Sequence, residues 1–502
     1  MPHSASDASP AGATARAPRT LRQLIAGTWQ PGDGAEIVDT NPARPSEAVA
    51  VGQLAQERDL DRAVTAAREA FPKWAATPHP VRGRILHRTA DVLDARAEQW
   101  GEELAWEEGK TRAEGVAEVR RAADIFRYYA GEALRPVGAV FASSRAGEQI
   151  QVIRRPVGVV AAVTPFNFPI AIPAWKIAPA LSYGNVVVWK PASAVPLLAL
   201  RLAEALVEAG LPEGVLSLLI CGGALGGRLA EHPGVDAVTF TGSTSIGRGL
   251  IASCGRLARP VQTEMGGKNA AVVLASADHD LAAAEVVAGA FRSTGQKCTA
   301  TSRLIVEDSV ADEFLDLLTK RVADLRVGDP LDERTGMGPV VSLQARDEIQ
   351  RAVDAGAARP GVEILTGGRP YDDDRATGAF LQPTVVELAG DDELWREELF
   401  GPVLAVRRAR DARHAFDLVN ESEFGLSAAV FTDDFRAVSQ AVDEVDVGIL
   451  HINSETAGAE PHVPFGGAKH SGYGPKEQGR AALEFFTRTK TVYLRASGGD
   501  GR

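Results

Sequence analysis

Cysteine is scarce in this chain: Cys221, Cys254 and Cys298 are the 3 among 502 residues. So few, so scattered, they cannot build a disulfide framework, and none belongs to a CxxC pair, so a reducing compartment and no metal site are expected. Aromatic residues are sparse at 6%, which argues against a stacking surface for nucleic-acid bases. Positive charge is in deficit, with 54 Lys and Arg against 66 Asp and Glu and a formal net charge of -12. Such an acidic balance lacks the electrostatic footprint of a nucleic-acid or anionic-membrane binder. No apolar run reaches the roughly 20 residues that span a bilayer. Residues 1–20, MPHSASDASPAGATARAPRT, have no apolar h-region and are expected to be a disordered tail, not a secretory signal. The expected location is cytoplasmic.

What is present is globular. The hydrophobic share is 45% and the charged share 24%, and the length exceeds a single hydrophobic core, so two or more domains are expected. From about Leu60 to Ala130, apolar residues recur three and four apart, as in DRAVTAAREAFPKW and RILHRTADVLDARAEQW, which predicts helices. After Arg145 the pattern changes to short buried-strand runs, VGVVAAVTPFN, NVVVWKPA, GVLSLLI and AVTFTGS, with LALRLAEALVEAG as the clearest intervening helix. Strands alternating with helices at this spacing predict a doubly wound parallel sheet with its ligand at the carboxyl ends of the strands. A second alternation begins near Thr263 and continues to about His462, which predicts a separate catalytic domain. EQIQVIRRPV and TKTVYLR fit neither pattern and are expected to pair outside both sheets, as an oligomerisation arm.

Three segments carry candidate chemistry. In FRSTGQKCTATSR, a Gly-Gln-Lys turn presents Cys298 after an Ala/Val-rich helix, where a loop can expose the thiol and Lys297 would favour the thiolate. The alternative is a buried structural cysteine, common for an isolated Cys. In VQTEMGGK, Glu264 stands at a strand end before Gly266 and Gly267, which let the backbone turn and bring a carboxylate into a cleft. A solvated surface Glu is the alternative. In VTPFNFP, two prolines enclose Asn167, a rigid setting for an amide donor or simply a turn residue.

Taken together and in order, TPFNFP, VVVWKPAS, FTGSTSIG, EMGGK, GQKCTATSR, EELFGPV and PFGGAKHSG resemble the motifs of the aldehyde dehydrogenase superfamily, from about Ile25 to Arg495. The resemblance implies an α/β architecture: a Rossmann-like cofactor domain (21–145 and 158–262), a second α/β catalytic domain (263–462) and a small β oligomerisation arm with the C-terminal tail (146–157 and 478–502). It implies NAD(P)-dependent oxidation of a small-molecule aldehyde by a homodimer or homotetramer. Cys298 would be the nucleophile, Glu264 the general base, and Asn167 with the Cys298 N–H the oxyanion hole, with Lys176 near the catalytic centre. Relatives that pass the acyl group to coenzyme A lack this glutamate, so its presence implies hydrolysis.

For the cofactor, the resemblance implicates Thr164, Pro165 and Phe166 of TPFNFP, Lys190 and Ser193 of VVVWKPAS, Gly242, Ser243 and Gly247 of FTGSTSIG, and Glu398 and Phe400 of EELFGPV. A strand-to-helix turn of this kind can receive a pyrophosphate at the helix N-terminus. NAD-preferring relatives commonly carry Glu at the place of Ser193; serine removes the repulsion toward a 2′-phosphate, so NADP or NAD is expected, with NADP accepted. For the substrate, Phe168, Trp175 and Arg292 are implicated. Arg292 would clamp the distal acid of a semialdehyde or else be a helix-surface arginine. Succinate-semialdehyde enzymes usually have Arg where this chain has Trp175, and GQKCTATSR looks more like 2-oxoglutarate-semialdehyde dehydrogenases. Two rival classes are a non-catalytic structural protein on the same fold and a cysteine hydrolase or acyltransferase without redox chemistry. The first fails to explain why Cys298, Glu264 and Asn167 occur together, the second why the phosphate-binding turn is present.

Overall fold

The computed structural model describes residues 16–135 and 138–495. Of the expected N-terminal tail, residues 1–15 lie outside the described residues, as does the C-terminal tail after Arg495. Arg19–Thr20 is a short strand, pairing in parallel with Ala50 and Val51.

The helical periodicity becomes four consecutive helices, α1 (Glu57–Ala76), α2 (His79–Ala95), α3 (Ala97–Glu108) and α4 (Arg112–Glu132). The break between α3 and α4 is written in the sequence. Gly109 ends α3 in the left-handed region at φ 99°, and Thr111 opens α4 with a reciprocal capping box to Glu114.

The first sheet has five parallel strands at its centre, in the spatial order Val261–Glu264, Ala237–Thr241, Val159–Val163, Val186–Lys190 and Leu216–Leu218. Numbered along the chain this is 5-4-1-2-3, the doubly wound order, with its switch point beside Val159–Val163. The connecting helices are α5 (Ala171–Ser182), α6 (Leu197–Glu208), α7 (Gly223–Glu231) and α8 (Thr244–Arg256). The edges are closed by antiparallel additions: Gln23–Ile25 and Thr28–Gln30 on one side and Gly472–Tyr473 on the other. Helix cover on both faces explains why these strands are continuous runs such as VVVWK, buried throughout.

The second sheet has seven strands, ordered Val362–Thr366, Thr384–Leu388, Val403–Ala409, Thr301–Glu307, Asn269–Val273, Ser427–Phe431 and Ile449–Ile452, parallel except at the first pair. Alternation sorts its side chains into two cores: Ala270 and Val272 face Trp395 and Phe416, while Ala271 and Val273 face Phe291 and Phe314. Helix α9 (His279–Phe291) packs on the latter face and leads to Cys298. A third sheet is antiparallel, with Glu148–Pro156 between Gly138–Ala142 and Thr487–Arg495; these are the two segments that fitted neither α/β pattern, joined by a strand not predicted. Among the described residues no helix is long and apolar enough to cross a membrane.

Candidate active site

A cavity of about 780 Å³ opens at the carboxyl ends of the first sheet's strands, at the switch point. Its wall brings together Thr164, Pro165, Phe166 and Asn167 after one strand, Lys190 at the end of the next, and Gly242 and Ser243 before α8, with Cys298, Glu398 and Phe400 across from them. These ten predicted residues are spread over nearly half the chain, and only the fold unites them.

Cys298 is reached through an unusual turn. After α9, Ser293 (φ 53°), Thr294 (φ 54°) and Gly295 (φ 70°) are all left-handed, a conformation that costs about 1–2 kcal/mol for each non-glycine residue. Several bonds hold it: the Ser293 N–H donates to Glu114 Oε1 at 2.7 Å, Thr294 Oγ1 to the Gly338 carbonyl at 3.1 Å, and the Val341 N–H to Gln296 Oε1 at 3.0 Å. Gly295 cannot carry a side chain, because a Cβ would stand 2.3 Å from the Gly401 carbonyl oxygen. Burial pushes the Cys298 thiol up to about 12, and the carboxylates of Glu398 and Glu264 push the same way, against the N–H groups of Thr299 and Cys298. The expected help from Lys297 is absent: its ammonium turns away to the Ala288 carbonyl at 3.4 Å and to Glu455 at 3.5 Å. A turn fixes where a neighbour's backbone goes, not where its long side chain points.

Asn167 is buried, and its Nδ2 donates to the Gln296 carbonyl at 2.9 Å, which ties the amide to the cysteine loop. Glu264 ends its strand just behind the cavity wall formed by Met265 and Gly266. Its Oε2 accepts the Gly467 N–H at 3.0 Å. Burial raises its carboxyl well above the usual carboxylate range; the Glu477 charge adds to this, while the Gly467 N–H, Lys476 and Lys176 oppose it. Lys176 is buried and donates to Thr239 Oγ1 at 3.0 Å and to Glu477 Oε1. Glu477 was not singled out in the sequence, where KEQG carries no local signal; the backbone pairing of Glu477 with Phe465 puts it there.

The groups present fit a dinucleotide. Ser243 gives α8 no side-chain cap, and no acid stands in its first turn, so its first N–H groups face the cavity's end available to an anion. Thr241 Oγ1 and Thr244 Oγ1 are buried without a partner among the described residues. Gly247 lies outside the wall, under it, where a Cβ would stand 2.5 Å from Met265 Sδ. At the other end Glu398 Oε1 accepts the Gly267 N–H at 2.9 Å, and burial raises its carboxyl to about 7 against that bond and Lys268. Phe400 stands edge-on to Phe166 at 5.6 Å. Ser193 is exposed and outside the wall, which is formed there by Ala192.

Of the predicted substrate residues, Trp175 is buried, packs on Phe465 at 5.4 Å, and has an indole N–H without a partner among the described residues. The Phe168 ring lies 4.3 Å from the Lys110 ammonium. Arg292 is exposed and pairs with Glu455 at 3.3 Å, away from the cavity wall. Among the described residues no group of three or more His, Cys, Asp or Glu side chains could hold a metal ion.

The family model described as the aldehyde dehydrogenase family matches residues 29–492. The chain is 40% identical over 482 residues to an alpha-ketoglutaric semialdehyde dehydrogenase of Bacillus subtilis (strain 168), covering 95% of this chain and 98% of that one. It is 41% identical over 476 residues to an alpha-ketoglutarate semialdehyde dehydrogenase of Haloferax volcanii, covering 94% and 98%. Among solved structures, betaine aldehyde dehydrogenase from Staphylococcus aureus in complex with NAD+ matches with a TM-score of 0.91 at 32% identity, covering 94% of each chain.

Proposed function

The chain belongs to the aldehyde dehydrogenase family and is an NAD(P)-dependent aldehyde dehydrogenase, and from that premise we propose that it oxidises a carboxylate-bearing semialdehyde of the 2-oxoglutarate semialdehyde class, through a thioester on Cys298. The observation that carries the mechanism is the gathering of the Cys298 thiol and the Asn167 amide on one cavity, with the raised Glu264 carboxyl directly behind it. A structural protein would have no use for that set.

The Cys298 sulfur, once deprotonated, bonds to the aldehyde carbon, and the carbonyl π pair moves to oxygen. There the Asn167 Nδ2–H and the Cys298 N–H stabilise it, a contribution of about 2.7–4 kcal/mol per donor. The carbonyl re-forms as the aldehyde hydrogen leaves with its electron pair, giving the thioester. NAD(P), when bound, supplies the acceptor for that hydride. Thr164, Pro165, Phe166, Lys190, Gly242 and Ser243 would hold its adenosine and pyrophosphate, and Glu398 and Phe400 its nicotinamide end. Glu264 then takes a proton from water, the hydroxide adds to the thioester carbon, and the carbon–sulfur bond breaks to release the acid and the thiolate.

The substrate class rests on the names of the two semialdehyde dehydrogenases and on Arg292 as a cation for the distal acid, swinging from Glu455. In an aldehyde panel, carboxylate-bearing semialdehydes are expected to have the highest kcat/KM. Arg292→Leu should raise their KM about 10- to 100-fold, the equivalent of roughly 1.5–3 kcal/mol for a charge-assisted hydrogen bond, and leave uncharged aldehydes unaffected. A flat panel would refute the substrate class and leave the dehydrogenase intact.

Ser193→Glu is expected to shift cofactor preference from NADP towards NAD. A carboxylate after Lys190 would repel a 2′-phosphate and accept hydrogen bonds from free ribose hydroxyls. The ratio of kcat/KM for the two cofactors measures this, and an unchanged ratio would mean that Ser193 does not face the ribose. The antiparallel arm, with Val140, Phe141, Tyr493 and Leu494 exposed, supports assembly with further copies of the chain in a homo-oligomer.

A further inference from the structure

The two donors assigned to the reacting oxygen, the Asn167 amide and the Cys298 N–H, lie on loops that belong to different sheets. Neither sheet alone fixes the distance between them; one direct bond, from Asn167 Nδ2 to the Gln296 carbonyl at 2.9 Å, joins the loops. A third segment, from the junction of α3 and α4, touches both loops. The left-handed turn at Gly109 sends Lys110 inward, where it is fully buried. Its ammonium donates to the backbone carbonyl of Asn167 at 2.7 Å and to Glu118 Oε2 at 2.7 Å. Glu118 Oε1 in turn accepts the N–H groups of Ile170 and Ala171, at 3.1 and 3.2 Å, where α5 begins. One helical turn before Glu118, Glu114 Oε1 accepts the Ser293 N–H at 2.7 Å, at the start of the strained turn leading to Cys298. Its Oε2 is fixed by the N–H and Oγ1 of Thr111, each at 2.9 Å.

We propose that Lys110, Glu114 and Glu118 form a brace that sets the spacing between the Asn167 amide and the Cys298 N–H, and so act as positioning residues for the oxyanion. The proposal rests on the assignment of those two donors above. Burying an ammonium is costly, and an apolar side chain of similar volume would stabilise the interior at least as well. The charge is explained by what it grips: backbone atoms of Asn167 and, through Glu118, of the two residues that open α5. Glu114 does the same on the other loop. Two consecutive non-glycine residues in the left-handed region persist only where the surroundings over-determine them, and the Ser293 N–H bond is part of that constraint.

The test separates oxyanion chemistry from general support of the thiol. Alkylation of Cys298 by iodoacetamide breaks a carbon–iodine bond at a saturated carbon and forms no oxyanion, whereas the burst of reduced cofactor on mixing with aldehyde requires one. Glu114→Ala is expected to lower the burst rate about 10²-fold, the loss typical of a misplaced reacting group, with the alkylation rate and cofactor Kd unchanged. Glu114→Gln, which keeps an acceptor for the Ser293 N–H, should recover most of the burst. Lys110→Met should repeat the Glu114→Ala pattern from the other loop. In an Asn167→Ala background, Glu114→Ala should add little, because the partner donor whose spacing from the Cys298 N–H the brace sets is gone. Alkylation that slows in step with the burst, or losses that simply add, would overturn the brace. If Asn167→Ala alone leaves the burst intact, the oxyanion assignment itself falls, and the brace with it.

Discussion

Cys298→Ala is expected to abolish aldehyde oxidation while leaving dinucleotide binding unchanged. The thiol sits on the cavity wall opposite the turn before α8, so its removal takes away the atom proposed to bond to the aldehyde carbon and none of the groups that would hold phosphate. Without a covalent intermediate there is no route to the thioester, and the loss should reach the detection limit instead of a partial fall. The other two thiols give the control. Cys221 and Cys254 are fully buried, so Cys221→Ala and Cys254→Ala should stay active and cost only a little packing. The pH dependence follows from the same geometry: a thiol raised to about 12 by burial and two carboxylates is protonated at neutral pH, so alkylation of the free enzyme should accelerate as pH rises. Reduced-cofactor absorbance, cofactor titration and mass spectrometry of the alkylated peptide measure the three parts. Sustained turnover in Cys298→Ala would sink the nucleophile assignment.

What the sequence disclosed and what it hid divide along a physical line. The placing of Cys298 and Asn167 on the cavity wall and of Glu264 just behind it was legible because each stands beside residues that constrain the backbone: Gly295, the pair Gly266 and Gly267, and Pro165 with Pro169. The doubly wound sheet was legible because strands buried on both faces must be unbroken apolar runs separated by helices. Lys176 could be placed near the centre, but not its partner Glu477, which lies 301 residues away and arrives through a single backbone pairing. Lys110 and Asn167, 57 residues apart, were hidden for the same reason. Strand Gly472–Tyr473 is two residues long and leaves no periodicity to read, yet it lies against Thr263 and Glu264. Lys297 misled because adjacency to Cys298 says nothing about side-chain direction, and four flexible bonds let it reach Glu455 instead.

The Glu264→Gln variant is expected to separate the two halves of the reaction. Glutamine keeps the volume and can still accept the Gly467 N–H, and it removes the repulsion from Glu477, so the fold should be retained. What it lacks is a site for the proton of the attacking water. Acyl-enzyme should then accumulate on Cys298, and steady turnover should fall by roughly 10²–10⁴-fold, the usual contribution of a positioned base. The first turnover should survive to the extent that Cys298 can be deprotonated without Glu264. The sign of the pH dependence is set by the raised carboxyl. Glu264 acts only when ionised, and burial together with the Glu477 charge disfavours that form, so wild-type hydrolysis should climb with pH through a midpoint well above that of an ordinary carboxylate. That limb should vanish in Glu264→Gln, leaving only the slower attack of water or hydroxide on the thioester. Quenched-flow measurement of the burst, steady-state rates across pH, and the mass of the trapped acyl-cysteine test this directly. Unchanged turnover, or a pH limb that persists in the variant, would mean that another group deprotonates the water, and the thioester would have to be resolved without Glu264.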